Sequence, residues 1–229
     1  MTLHFAVIQQ VLTSVNSLVG ALFLLSAFVL MATRQVQGFL RLFVLQSLLL
    51  AISAFVLGWL YQSWDLIVVA IITLTAKTVI IPRLLIRTLE PPMRSRREAD
   101  LVINIPVSLL IAIGITVLAY FLVAPLLPEA NASVRVNLPV GLDVLLIGIY
   151  TLAIRREAVP QMLALMAIDN GAFYAGVAIT SSSAIVELAA GLEGVIVVLV
   201  AAILTRTLAQ NVGTTEVSSL ESLKEGDDR

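Results

Sequence analysis

Lys77, Asp169 and Glu193 are ionisable residues set about half-way along long apolar stretches of the 229-residue chain. Placing an ionised group at the centre of a membrane helix costs about +2.5 to +3.5 kcal/mol even on the lenient insertion scale. Nothing in helix formation within lipid requires that cost. Residues of this kind therefore point to a buried proton or ion path, turned towards protein or internal water rather than lipid. A carboxyl taken out of water can exchange a proton near neutral pH, which a membrane relay needs. Asp169 and Glu193 lie roughly 14–15 Å deep if their segments are helical, at about 1.5 Å per residue. Antiparallel neighbouring helices would bring both carboxyls into one polar layer.

Lys77 is the corresponding charge in the first half of the chain, and a buried lysine is drawn to a carboxylate partner. Gln46 is neutral; it can relay hydrogen bonds but cannot titrate. Glu187, about one turn inside its apolar segment, is a secondary candidate. So is Asp143, which the pattern places near a span end together with Asn104. Each of these residues also fits a plainer role as interhelical polar glue. Asn170 and Gly171, which follow Asp169, would then form a packing notch, and Gln46 a helix–helix contact.

The elements that must position these groups follow from composition. Hydrophobic residues make up 59% of the chain and charged ones 13%, against about 25% charged in a soluble domain. Mean hydropathy is +1.03. The apolar runs reach the roughly 20 residues that a helix needs to cross a hydrocarbon core of about 30 Å. They lack the strict alternation of barrel strands. The chain reads as an all-α, polytopic transmembrane protein. It has no cysteine, which excludes disulfides, iron–sulfur ligation and zinc–thiolate sites within it. The lone His4 lies at the extreme N-terminus and reads as a terminal residue rather than a ligand. No phosphate loop, nucleophile triad, metal-ligand cluster or nucleic-acid motif is present, so the chain should hold no cofactor and catalyse no reaction itself. The first apolar run lacks a basic leader and a small-residue cleavage site and is read as a retained span.

About seven spans are expected, at 10–32, 38–61, 65–88, 103–126, 137–154, 159–180 and 184–207. Arginines collect in alternate loops: Arg34 and Arg41, then Arg83 to Arg97, then Arg155 and Arg156, then Arg206. Lys and Arg favour the cytoplasmic side. The pattern therefore puts the N-terminus outside and the polar tail, 211–229, in the cytoplasm of a prokaryotic inner membrane. The match of Asn131-Ala132-Ser133 to a glycosylation acceptor is too short to carry weight.

An internal repeat is also visible. Spans one to three and five to seven each run from a helix ending in Arg, through a helix with one central polar residue (Gln46; Asp169), to a helix with a charged centre (Lys77; Glu193). The third helices close on Arg87-Thr88-Leu89 and Arg206-Thr207-Leu208. Span four restores the orientation, so the expected plan is two parallel three-helix repeats joined by one extra helix. The units are 1–100 with a basic cytoplasmic loop, 101–130 linking, 131–210 as second repeat, and 211–229 as tail.

The second repeat resembles the three-helix K-type subunit of complex I and the C-type subunit of multisubunit cation/proton antiporters. The matching stretches are Ile149 to Arg156, Met166 to Gly171, and Glu187 to Val197 around Glu193. The duplicated, longer form resembles the hydrogenase-4 component E family. That resemblance implies a membrane subunit of formate hydrogenlyase-type and other group 4 nickel–iron hydrogenases. It places Asp169 and Glu193 at the two intramembrane acids of the smaller subunits. Asp stands where Glu is usual, and Gln46 and Lys77 replace two acids in the first repeat. The implied role is proton or Na⁺ movement coupled to redox chemistry in partner membrane subunits. A scaffold subunit without its own ion path, and a stand-alone small transporter, remain the alternatives.

Overall fold

A computed structural model describes residues 2–83, 103–155 and 158–179. Apolar side chains on every face make these segments helical, since in lipid each backbone N–H and C=O must be satisfied within its own segment. Helix α1 spans Thr2–Ala32 and α2 spans Val36–Leu60. Helix α3 runs Trp64–Arg83, with a π-helical stretch at its centre, Leu74–Ile80. Helix α4 is Ile105–Val123, tightened into a final 3₁₀ turn at Ala124–Leu126. Helix α5 is Ala132–Ile154 and α6 is Ala158–Ile179. No strand occurs among the described residues. All six helices are long and apolar enough to cross a membrane.

The described residues lie in one compact unit, Met1–Ala190; the second unit, Gly191–Arg229, falls outside them. Helix α2 is central, packed on α1, α3 and α6, while α5 packs on α1, α4 and α6. The core joins Phe23, Leu50, Ala54, Leu57, Val144 and Tyr174, with Phe23 and Tyr174 stacked at 4.4 Å between ring centroids. Outward faces are apolar too. Val11, Leu18, Leu22, Leu25 and Val29 make an exposed stripe on α1, and Leu110, Ile113, Val117 and Phe121 another on α4. Such stripes suit lipid.

Helix ends carry their own chemistry. The α2–α3 turn needs a left-handed residue, and Gln62 takes it at φ 55° while its amide donates to Trp59 O at 2.9 Å. Trp59 and Trp64 beside that turn are exposed, as interfacial aromatics are at the headgroup level. Pro106 occupies the first turn of α4, where its missing N–H is harmless. Asn131 caps α5 by accepting from Val134 N at 2.9 Å.

That cap corrects the expected start of span five. The helix begins at Ala132, not 137. Arg135, expected in the loop, and Asn137, expected at the first position of the span, both lie inside the helix. Arg135 reaches back to the carbonyls of Ala130 and Pro128, at 3.0 and 3.1 Å. Asn137 is fully buried against α1 and α2. The second, fourth and sixth spans fall where expected within a few residues; the first begins earlier, at Thr2 rather than 10, and the expected end of the third lies outside the described residues. The seventh, 184–207, lies outside the described residues, so the paired three-helix repeats are not completed by the six helices seen.

Candidate functional site: a buried ion pair between α3 and α6

Close contact between α5 and α6 fixes the site. Gly171 has the backbone N of Leu145 only 2.4 Å from where a Cβ would stand, and Gly141 has that of Ala175 at 2.4 Å. Gly148 has the Ile168 side chain at 2.8 Å and its backbone N at 3.0 Å. Glycine is required at these approaches because a side chain would enter the neighbouring backbone. With one face of α6 held against α5, the face carrying Asp169, Asn170 and Phe173 meets α2 and α3.

Lys77 comes from the other side, inside the π-helical stretch of α3. A π turn inserts a residue into the α ladder and re-aims the side chains around it, often at functional sites. The Lys77 ammonium lies 2.5 Å from Asp169 Oδ2 and donates to Asn170 Oδ1 at 2.9 Å. It stands 5.7 Å from the centre of the Phe173 ring. Lys77 and Asp169 are 2% and 6% exposed, so this is an ion pair out of contact with bulk water. Asn170 extends it. Its amide nitrogen donates to Ser47 Oγ at 3.2 Å and to Gln46 Oε1 at 3.4 Å. The Gln46 amide nitrogen and the Thr78 hydroxyl have no hydrogen-bond partner among the described residues.

Chemically, the arrangement holds one exchangeable proton between an amine and a carboxylate. Moving it from Nζ to Oδ2 turns an ion pair into two neutral groups. The open N–H of Gln46 is where the network can continue.

Three further polar features sit among the apolar residues. Asn16, Ser53 and Asn137 close a buried triangle across α1, α2 and α5, with contacts of 2.7, 2.7 and 3.1 Å. Arg155 is 2% exposed and ends α5. It donates to Met31 O and Thr33 O, both at 2.7 Å, and lies over the Phe39 ring at 4.9 Å. It thereby satisfies carbonyls that the C-terminus of α1 leaves open. Asp143 is fully buried on α5. Among the described residues, no three His, Cys, Asp or Glu are placed to hold a metal ion.

Of the sequence candidates, Lys77, Asp169 and Gln46 come together. Glu193 and Glu187 lie outside the described residues, and with them the expected layer of Asp169 and Glu193. The Asp169 partner seen is Lys77, supplied by α3. Asp143 is not near a span end; it sits mid-way along the 23-residue α5, because that helix starts earlier than its polar first turns suggest. The notch expected at Gly171 is present. Asn170, read only as part of that notch, bridges the ion pair to α2. Arg155, read as a loop marker, is buried. The signal for Asn16, Ser53 and Asn137 was their polarity within apolar runs.

Fold and site together define a polytopic α-helical membrane protein with a charged centre. The chain is similar to Uncharacterized protein Rv0085 of Mycobacterium tuberculosis, 29% identical over 203 residues, which cover 88% of this chain and 92% of that protein. No family model matches the chain, and no solved structure matches it.

Proposed function

We propose that this chain is a non-catalytic inner-membrane subunit of a group 4 nickel–iron hydrogenase, formate hydrogenlyase- or complex I-like assembly. Its intramembrane charges serve proton or Na⁺ translocation driven by redox chemistry in other subunits. The observation that carries the reading is the buried Lys77–Asp169 pair, extended through Asn170 to Gln46, in the middle of apolar helices. An intramembrane ionisable group is costly and marks an ion pathway by default. The resemblance of the second repeat to K-type and C-type subunits supplies the type of assembly. Glu193 is the further acid of the path, N-terminus outside and tail inside.

The test is the assembled complex carrying Asp169→Asn, in inverted vesicles. The amide keeps the size and a hydrogen bond to Lys77 but cannot take the proton. The expected result is an intact complex with little proton uptake on redox turnover. Full, coupled uptake by an intact variant complex would reduce the pair to structural glue and favour the scaffold. If the variant fails to assemble, the double variant Lys77→Met/Asp169→Asn removes both charges, and the same measurement is made on it.

A further inference from the structure

We propose that Asp143 forms a second intramembrane site, which holds an exchangeable monovalent cation, a proton or an alkali ion, in the seam between α4 and α5. Helix α5 turns Gly141, Leu145 and Gly148 to α6. Asp143 instead lies beside Thr116 of α4. The two mid-helix aspartates thus stand on different flanks of the α5–α6 pair.

Asp143 is 0% exposed, and neither carboxylate oxygen has a partner at full hydrogen-bond geometry among the described residues. Nor does a salt bridge reach it there. The Thr116 hydroxyl beside it donates to Ala112 O at 3.0 Å. An ionised carboxylate so placed costs several kcal/mol unless a positive charge accompanies it. For Asp169 that charge is Lys77. Among the described residues no such charge reaches Asp143, which leaves the place to a mobile cation.

The surroundings suit one. The Asp143 carboxylate, the Thr116 hydroxyl beside it and the Ala112 carbonyl that accepts from this hydroxyl are all oxygen, the donor type that hard cations take. The seam is polar over a longer stretch. About two turns away the same helices meet again through Tyr150 Oη, 3.1 Å from Ser108 Oγ. The inference stands whether or not Lys77–Asp169 relays protons, because its test reads occupancy of a carboxyl and not transport.

Dicyclohexylcarbodiimide is a lipid-soluble reagent that adds to a carboxyl carrying its proton and leaves a stable acylurea. Membranes containing the full chain are treated across a pH series, with NaCl or choline chloride at equal ionic strength. Peptide mass spectrometry then locates the adduct. The expected result is an adduct on Asp143 that increases as pH falls and is lost in Asp143→Asn, while the paired Asp169 stays largely unmodified. Suppression by Na⁺ but not choline assigns an alkali-ion site; labelling indifferent to Na⁺ assigns a proton site. Recovery of the Asp143 peptide unmodified at every pH at which the protein stays folded would overturn the proposal.

Discussion

At the residue scale the ion pair makes a thermodynamic prediction separate from function. Removing one partner of a buried pair strands the other charge, at about 3–5 kcal/mol, whereas removing both can be nearly neutral. Lys77→Met and Asp169→Asn should each lower thermal stability in detergent strongly, and the double variant should recover most of the loss. A double-mutant cycle on unfolding midpoints measures the coupling; additive losses would show that the two side chains do not pair. Glu193→Gln belongs to the same scale. It should leave an assembled complex with reduced proton translocation, and coupled uptake at the unmodified level would remove Glu193 from the path. Lys77 and Asp169 were legible as chemistry, because a charge in an apolar run is conspicuous. Their partnership was not. It joins residues 92 positions apart, and apolar periodicity does not report which helices are neighbours.

The controlling element is the α5–α6 pair. Its glycines leave no room for a methyl group, so Gly171→Ala or Gly141→Ala must push the helices apart. Overpacking of this kind costs about 1–3 kcal/mol, and the shift should also loosen Asp169 from Lys77. Gly114→Ala in α4 is the control, since a Cβ there meets nothing within 4 Å. It should be neutral or slightly stabilising, as Ala is the better helix former by about 1 kcal/mol. Equal effects of all three on the unfolding temperature would contradict the packing described. The sequence located most helices well, because lipid allows few alternatives to a helix and breaks in hydropathy mark its ends. It misplaced the start of α5, where Arg135 and Asn137 are polar for two reasons: one reaches back to loop carbonyls and the other ties three helices together. Arg135 reads as loop, and Asn137 as the span's first residue, until their partners are known. The π turn around Lys77 has no signature in composition.

For the whole molecule, the arginine asymmetry predicts that 90–100 is cytoplasmic and the α4–α5 loop external. Single cysteines at Ser95 and Glu129 test this with a membrane-impermeant thiol reagent on intact cells. Glu129 is the right external probe because it is exposed, whereas Ser133 is buried in the first turn of α5. Labelling at Glu129→Cys but not Ser95→Cys is expected, and the reverse would invert the topology. Mild detergent extraction should return larger polytopic membrane proteins with the chain. A well-behaved lone protein active in liposomes would favour the transporter instead.

The pairing of early with late residues has a consequence for how the protein is made. Ribosomes add about 5–20 residues per second, and Asp169 follows Lys77 by 92 residues. Lys77 therefore waits roughly 5–20 s after its own synthesis before its counter-ion exists. Asn16 waits longer for Asn137, 121 residues on, and the end of α1 waits for Arg155, 124 residues past Met31. During that interval the first three helices hold the Lys77 ammonium without Asp169, and the end of α1 without Arg155. They cannot settle in lipid as a finished unit, and the nascent chain must lean on the insertion machinery, or on a subunit already in the membrane, until α5 and α6 arrive.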